Sequence, residues 1–151
     1  KLNTAGALSL IPEKPKLPFF VANGDIVTSL NFEDMLNFHN EHDSKATMAI
    51  RKYTQRVPYG VVEVQNYKIH DFIEKPEKDH FINAGIYLLE PEILDLLEKG
   101  QPCTMPVLYE RARNKGMHTF AFPIREYWID IGQPSDYHQA NVDYINGDEQ
   151  A

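Results

Sequence analysis

Cysteine is almost missing from this chain. Cys103 is the one thiol among 151 residues, so no intrachain disulfide forms, and a reducing cytoplasm suits the sequence better than an oxidising compartment. Long apolar runs are missing as well. None approaches the roughly eighteen residues of a membrane span, and Leu8 to Ile11 is too short for a signal h-region and runs into Pro12-Glu13-Lys14. The chain is expected to be soluble, unexported and without a membrane partner. Positive charge is scarce and scattered: 15 basic against 22 acidic residues give a net charge of −7, which argues against a nucleic-acid polymer as partner. Glycine is dispersed, at positions 6, 24, 60, 85, 100, 116, 132 and 147, and no two lie close enough to form a phosphate nest. With 42% hydrophobic and 25% charged residues, the chain has the composition of a folding globular unit, and its length predicts a single domain over residues 1–151.

What is present is an alternation of strand and helix signals separated by proline and glycine. Thr4 to Leu10 predicts a short helix opened by Thr4 and closed by Pro12. Leu17 to Ala22 is a continuous apolar run, expected as a strand buried on both faces. Asn31 can cap a helix with Glu33 and Asp34 in its first turn and Phe32, Met35, Leu36 and His39 on one face. Ala46 to Ile50 predicts a second buried strand. Val61 to Val64, a turn at Gln65-Asn66-Tyr67, and Ile69 to Ile73 read as an antiparallel hairpin. Phe81 to Leu89 is a strand, followed by a helix with Pro91 in its first turn and Gly100 beyond its end. Thr104 caps another helix that Gly116 ends, His118 to Ile124 is a strand, and Pro134 to Ile145 closes the chain as a helix with Tyr137, Ala140, Tyr144 and Ile145 inward. The sum is an α/β fold, a mostly parallel sheet flanked by helices with an inserted antiparallel hairpin.

In open α/β sheets ligands sit beyond the carboxyl ends of strands. Asn23-Gly24-Asp25 follows the first apolar run, where glycine permits a sharp turn and close ligand approach. The same tripeptide is also ordinary turn chemistry. In Trp128-Ile129-Asp130-Ile131-Gly132 an acid lies between two isoleucines; on a buried strand it needs a metal or hydrogen-bond donors to compensate its desolvation. Two strand-end carboxylates, Asp25 and Asp130, suggest one divalent metal site. Glu74-Lys75-Pro76 closes the hairpin, and side chains adjacent on a strand point to opposite faces, so this acceptor and donor are not expected to pair. Gly85, in Asn83-Ala84-Gly85, interrupts a strand of large apolar residues and marks either close backbone approach or a bulge. His39 and His42 have the spacing of a metal pair without an evident third ligand, and a solvated helix face is the better reading.

Six motifs stand in order: Thr4-Ala5-Gly6-Ala7, Asn23-Gly24-Asp25, Tyr59-Gly60-Val61-Val62-Glu63, Glu74-Lys75-Pro76, Asn83-Ala84-Gly85-Ile86-Tyr87 and Trp128-Ile129-Asp130-Ile131-Gly132. Through them the chain resembles the sugar-nucleotide pyrophosphorylases, which are nucleotidyltransferases joining a sugar 1-phosphate to a nucleoside triphosphate. Val57-Pro58-Tyr59-Gly60 and Phe122 to Trp128 look most like their bacterial, mannose-1-phosphate guanylyltransferase-like branch. The resemblance implies the Rossmann-like nucleotide-diphospho-sugar transferase fold and a nucleotide-sugar biosynthetic role. Asp25 and Asp130 would be ligands of Mg²⁺, and their all-oxygen donor set suits that ion. Asp25, Lys75 and Asp130 would be catalytic, with Lys75 neutralising the sugar phosphate as a point charge. Glu74 would accept bonds from sugar hydroxyls, helped by Asn83 and the backbone of Gly60. Thr4, Ala5 and Gly6 would lie against the nucleobase, and Asn23, Gly24, Tyr59, Gly85, Tyr87 and Trp128 would complete the substrate-binding surface. The family places glycine before the threonine; Asn3 stands there instead and tolerates the same left-handed backbone.

A glycine-rich loop with an Arg and a downstream Lys, which holds the triphosphate in that family, is absent from this sequence. The expectation is therefore a truncated part of a longer enzyme, inactive in transfer by itself, with exposed sheet edge that predicts weak stability or association with a second copy. A non-catalytic sugar-nucleotide sensor or regulatory module is the alternative. Retention of both acids favours the enzyme reading, and the lack of an Asp-x-Asp pair near Asp25 disfavours a metal-dependent glycosyltransferase. The nucleobase and sugar stay open.

Overall fold

The computed structural model describes residues 1–147. Its helices are α1 (Asn3–Gly6), α2 (Phe32–Glu41), α3 (Met105–Asn114) and α4 (Pro134–Asn146), with 3-10 turns at Ala7–Leu10 and Pro91–Leu96. Its strands are β1 (Phe19–Ala22), β2 (Ile26–Thr28), β3 (Ala46–Arg56), β4 (Val61–Gln65), β5 (Lys68–Ile73), β6 (Glu77–Leu89), β7 (Thr119–Pro123) and β8 (Trp128–Asp130). Two compact units emerge, one of residues 1–50 with the chain from Asn83 onward, the other Arg51–Ile82. β3 and β6 contribute residues to both.

The larger unit is built on a mixed sheet of order β1-β6-β3-β7, in which β1 runs antiparallel to β6 and β3 parallel to β7. Helices cover it on two sides because the inner half of β6 is apolar at every position and sends alternate side chains each way. Tyr87 and Leu89 join Ala46, Ile93, Met105, Leu108 and Ala112 in a core beneath α3. Ile86 and Leu88 join Leu30, Met35, Ala49, Ala84 and Ile124 in a second core beneath α2. Each fully buried Leu or Ile there contributes about 2 kcal/mol.

Asn31 caps α2 by accepting the Glu33 amide through its side chain, and Thr104 does so for α3 through the Val107 amide. Asn3 takes the left-handed backbone expected of it, φ 59°. Other expectations are corrected. Thr4 does not open α1; it lies within it, and its hydroxyl accepts the Met105 amide at 2.9 Å, giving α3 a second cap. β1 lies at the sheet edge with alternating exposure and is not buried on both faces. The segment after Pro91 is a 3-10 turn ending at Leu96, tied to α3 where Arg111 Nη1 donates to the Leu96 carbonyl at 2.8 Å. On α4 only Ala140 is buried; Tyr137, Tyr144 and Ile145 are exposed. Their spacing offered an apolar stripe, but the short β2–β8 ribbon that α4 lies against has little surface to bury it.

The smaller unit contains the β4–β5 hairpin, turned by Asn66 and Tyr67 with φ 48° and 64°, the pair of positive angles that matches the twist of a two-residue hairpin turn. Below the hairpin, Lys52 and Thr54 both bind Asp79, and Arg56 pairs with Glu77. The hydrogen bonds from Lys52 and Thr54 hold the Asp79 carboxyl below its ordinary range.

His39 is buried on the inner face of α2, only 1% exposed. Its Nδ1 lies 2.8 Å from the Thr47 hydroxyl, which donates to Ser44 Oγ, and its Nε2 is 3.6 Å from Glu90 Oε1, too far for a hydrogen bond. His42 instead is exposed, bonds the Phe38 carbonyl and stacks on the Phe38 ring, and the expectation of a solvated helix face is corrected for His39, which faces the core. Burial pushes the His39 pKa below its ordinary 6.5, against the opposing pull of Glu90. The folded state therefore binds fewer protons than the unfolded state when the pH falls below 6.5, and stability present above that value is lost as pH drops toward the folded pKa. We expect the unfolding free energy to decrease between about pH 7.5 and about pH 5.5, and His39→Gln to flatten that slope, as measured by urea denaturation at each pH.

Candidate functional site

Asp25 and Asp130, far apart in sequence, come to the same end of one ribbon. β2 and β8 pair antiparallel with Ile26 opposite Asp130, and the Ile131 amide donates to the Asp25 carbonyl at 2.8 Å. Both carboxylates are exposed. The expectation of a desolvated acid between isoleucines is thus corrected: Ile129 and Ile131 are half-buried while the alternation of β8 turns Asp130 outward. Asp130 Oδ1 accepts the Gly132 amide at 2.9 Å, which orients the carboxylate and leaves its other oxygen for a ligand. Among the described residues no group of three or more His, Cys, Asp or Glu gathers that could hold a metal ion. Two solvent-facing carboxylates nevertheless fit Mg²⁺, which binds through one or two acids and takes its remaining ligands from water and phosphate.

Beside the ribbon, Asn23, Asn83, Gly85 and Trp128 form a bonded frame. Asn23 donates its amide to the Gly85 carbonyl at 2.8 Å. Gly85 adopts φ +73°, and a Cβ there would meet Asn23 Nδ2 at 2.9 Å. The close approach read from this strand glycine is therefore real, and the chain's own Asn23 makes it. Trp128 donates from Nε1 to the Ala84 carbonyl at 2.8 Å, an anchor that the apolar context of Ala84 did not reveal. Tyr87 is 2% exposed; its hydroxyl accepts from Asn83 Nδ2 at 2.7 Å, and burial raises its pKa. Gly24 differs from these neighbours, because a Cβ at that position would meet nothing within 4 Å. The turn before Asp25 is open on that side.

The Thr4 to Gly6 segment is committed to internal bonds. Ala5 and Gly6 both donate to the Cys103 carbonyl, at 2.9 and 3.0 Å, and the Cys103 amide donates to the Leu2 carbonyl. Ala5 is fully buried. A Cβ on Gly6 would stand 2.6 Å from the Gln101 carbonyl oxygen. The residue is glycine because a backbone already occupies that space.

In the smaller unit, Gly60 lies against the Phe72 ring and Glu74, with a hypothetical Cβ 3.0 Å from Glu74 Oε2. Tyr59 is exposed. Glu74 and Lys75 are not strand residues: β5 ends at Ile73, and Lys75 turns with φ 44°. This bend overrides the opposite-face expectation and brings Lys75 Nζ to 4.0 Å from Glu74 Oε1, both side chains exposed. A pair so solvated contributes little to stability, which leaves both charges free to turn to a ligand.

Helices on both sides of a mixed sheet, with exposed acids at a strand end and a polar frame beside them, define an α/β protein of the nucleotide-sugar transferase fold. A sequence profile described as nucleotidyl transferase matches residues 1–147, and the chain belongs to that family. It is 34% identical to mannose-1-phosphate guanyltransferase of Saccharomyces cerevisiae over 96% of this chain and 42% of the relative. It is 36% identical to the protein of the same name from Pichia angusta, over 90% of this chain and 39% of the relative. The chain spans about two fifths of the length of these curated relatives. Among solved structures it resembles HddC from Yersinia pseudotuberculosis, TM-score 0.59 at 23% identity over 95% of this chain and 63% of that one, and HddC complexed with GMP-PN at the same score.

The glycine geometry predicts an order of stabilities. Gly6→Ala and Gly85→Ala each force backbone or side-chain displacement and are expected to cost about 1–3 kcal/mol. Gly24→Ala is expected to stay within about 0.5 kcal/mol of the parent. Chemical denaturation of the three variants tests this order.

Proposed function

We propose that this chain is the C-terminal, sugar-binding part of the catalytic domain of a sugar-1-phosphate nucleotidyltransferase, which transfers a nucleotidyl group from a nucleoside triphosphate to a sugar 1-phosphate and releases pyrophosphate. The β2–β8 register carries the reading, because it brings Asp25 and Asp130 to one strand end. Guanylyl transfer to mannose 1-phosphate is the form to test first, given the relatives' names. The lone Cys103 supports a cytoplasmic setting, and Val57–Gly60 with Phe122–Trp128 support the bacterial branch.

Asp25 and Asp130 would hold Mg²⁺, which when bound supplies positive charge to the phosphates at the reacting centre. The remaining work falls to the chain. In the smaller unit Lys75 offers charge to a phosphate and Glu74 with the Gly60 backbone offers acceptors to hydroxyls; in the larger unit Asn83 offers a carboxamide to sugar hydroxyls. Gly24 lets the ligand approach the Asp25 turn. Of the segment expected to lie against the base only Thr4 is exposed, with its hydroxyl already engaged by the Met105 amide; Ala5 and Gly6 are buried and support that turn from behind without meeting a ligand. With the substrates so placed, a sugar-phosphate oxygen attacks the α-phosphorus in line and pyrophosphate leaves. Catalysis of this kind is positioning and electrostatics.

Calorimetric titration of GDP-mannose, with and without Mg²⁺, tests the reading. Mg²⁺ should tighten binding, and Asp25→Asn and Asp130→Asn should each weaken the Mg²⁺-dependent component about tenfold or more, a loss of at least about 1.4 kcal/mol. Binding that ignores Mg²⁺ and both substitutions would refute the assignment of the two acids. No pyrophosphate release is expected from this chain alone, whose eight glycines are too dispersed to cradle a triphosphate.

A further inference from the structure

Asn83 sits where β6 changes character. Residues before it alternate in exposure, and Ala84 to Leu89 are buried without interruption. A regular strand rises about 3.3 Å per residue, which would set residues 83 and 87 roughly 13 Å apart. Gly85, between them with φ +73°, breaks that regularity. Across the break the Asn83 carboxamide is pinned at both ends: Oδ1 accepts the Gly85 amide at 2.9 Å and Nδ2 donates to Tyr87 Oη at 2.7 Å.

The Gly85 amide can only donate, so it fixes which end of the carboxamide is oxygen; the nitrogen must then face the phenol. Tyr87 itself has almost no surface with which to meet a ligand, being 2% exposed and packed in the core against Tyr109. Its polar influence passes through Asn83, which is exposed. On the other side of the segment, the bonds from Trp128 to Ala84 and from Asn23 to Gly85 hold the backbone still. With one N–H and one lone pair engaged, the carboxamide keeps one N–H and one lone pair for an outside group. That donor and acceptor, side by side and fixed in sense, match a hydroxyl pair on a sugar ring.

We propose that Tyr87 is a positioning residue, a buried latch whose hydroxyl locks the Asn83 carboxamide in the orientation that recognises sugar hydroxyls. This rests on the reading of the Asp25–Asp130 end as a sugar-nucleotide site. It moves Tyr87 from the substrate-contacting set to the support behind it. A latch of this kind affects recognition of the sugar and leaves the nucleotide untouched, because it acts only by reducing the freedom of one side chain before binding.

Tyr87→Phe removes the hydroxyl and little else from a buried ring. In calorimetric titrations with Mg²⁺, this variant should bind GDP-mannose several-fold to tenfold more weakly and bind GDP as the parent does. Asn83→Ala should show the same selective loss, and the double variant no further loss, since the two residues act as one unit. The Asn83 side-chain NH₂ resonances in a ¹⁵N correlation spectrum report the latch without ligand: two well-separated protons in the parent, converging in Tyr87→Phe. Equal weakening of GDP and GDP-mannose in Tyr87→Phe would mean a merely structural ring. Unchanged GDP-mannose binding in Tyr87→Phe beside a loss in Asn83→Ala would mean that Asn83 orients itself. Either result overturns the proposal, as does an Asn83 spectrum indifferent to Tyr87→Phe. A parent chain that binds neither ligand would defeat the functional reading, and with it the latch's role in recognition; the spectrum would still show separately whether the latch exists.

Discussion

A left-handed residue in the middle of a strand of 13 residues constrains the rest of the candidate site. Only glycine takes φ +73° at Gly85 without strain, and the Asn23 side chain packed over it removes room for any Cβ. Beyond this point β6 is a fully buried strand shared by two cores, so its position is rigidly set. Up to Ile82 the same strand is largely exposed and belongs to a different compact unit. The break thus converts core rigidity into a fixed polar frame at the surface, which is what a binding surface needs to orient a ligand.

That frame explains an economy of parts around Asp25 and Asp130. Neither acid is buried, and neither relies on a dedicated cage. The ribbon of β2 and β8 has only three residue pairs, too short to stand alone. It is held because Ile26 and Trp128 pack on the core beneath α2 and because the Trp128 indole reaches the Ala84 carbonyl. A tryptophan at this place joins the metal-site candidates to the sugar-site candidates through one hydrogen bond. The acids stay hydrated, and hydration is compatible with an ion that keeps several of its waters.

Much of this was legible in the sequence, and the failures have physical causes. Caps and punctuation located α2 and α3 because Asn31 and Thr104 act locally. The Asn66-Tyr67 hairpin was legible for the same reason. Asp130 was misread as buried because an Ile-Asp-Ile pattern looks apolar when strand direction is unknown. α4 was misread because spacing reports which residues share a face and cannot report whether a neighbour is there to cover it. The Glu74–Lys75 bend came from a positive φ at a lysine, which composition does not announce. Hydrogen bonds across long sequence separations, such as Trp128 to Ala84 and Thr4 to Met105, leave no local trace at all.

The Cys103 carbonyl accepts two amides from the N-terminal segment while its thiol, 5% exposed, is sealed in the core beneath α3. Ala5 belongs to the same buried cluster as Cys103, so the docking of the N-terminal segment and the burial of the sulfur share one packed environment. A thiol reagent reaches it only when this core opens, so the alkylation rate of this single cysteine is a clock for local opening beneath α3. The protein carries its own reporter for this part of the core, placed where the N-terminal segment meets α3.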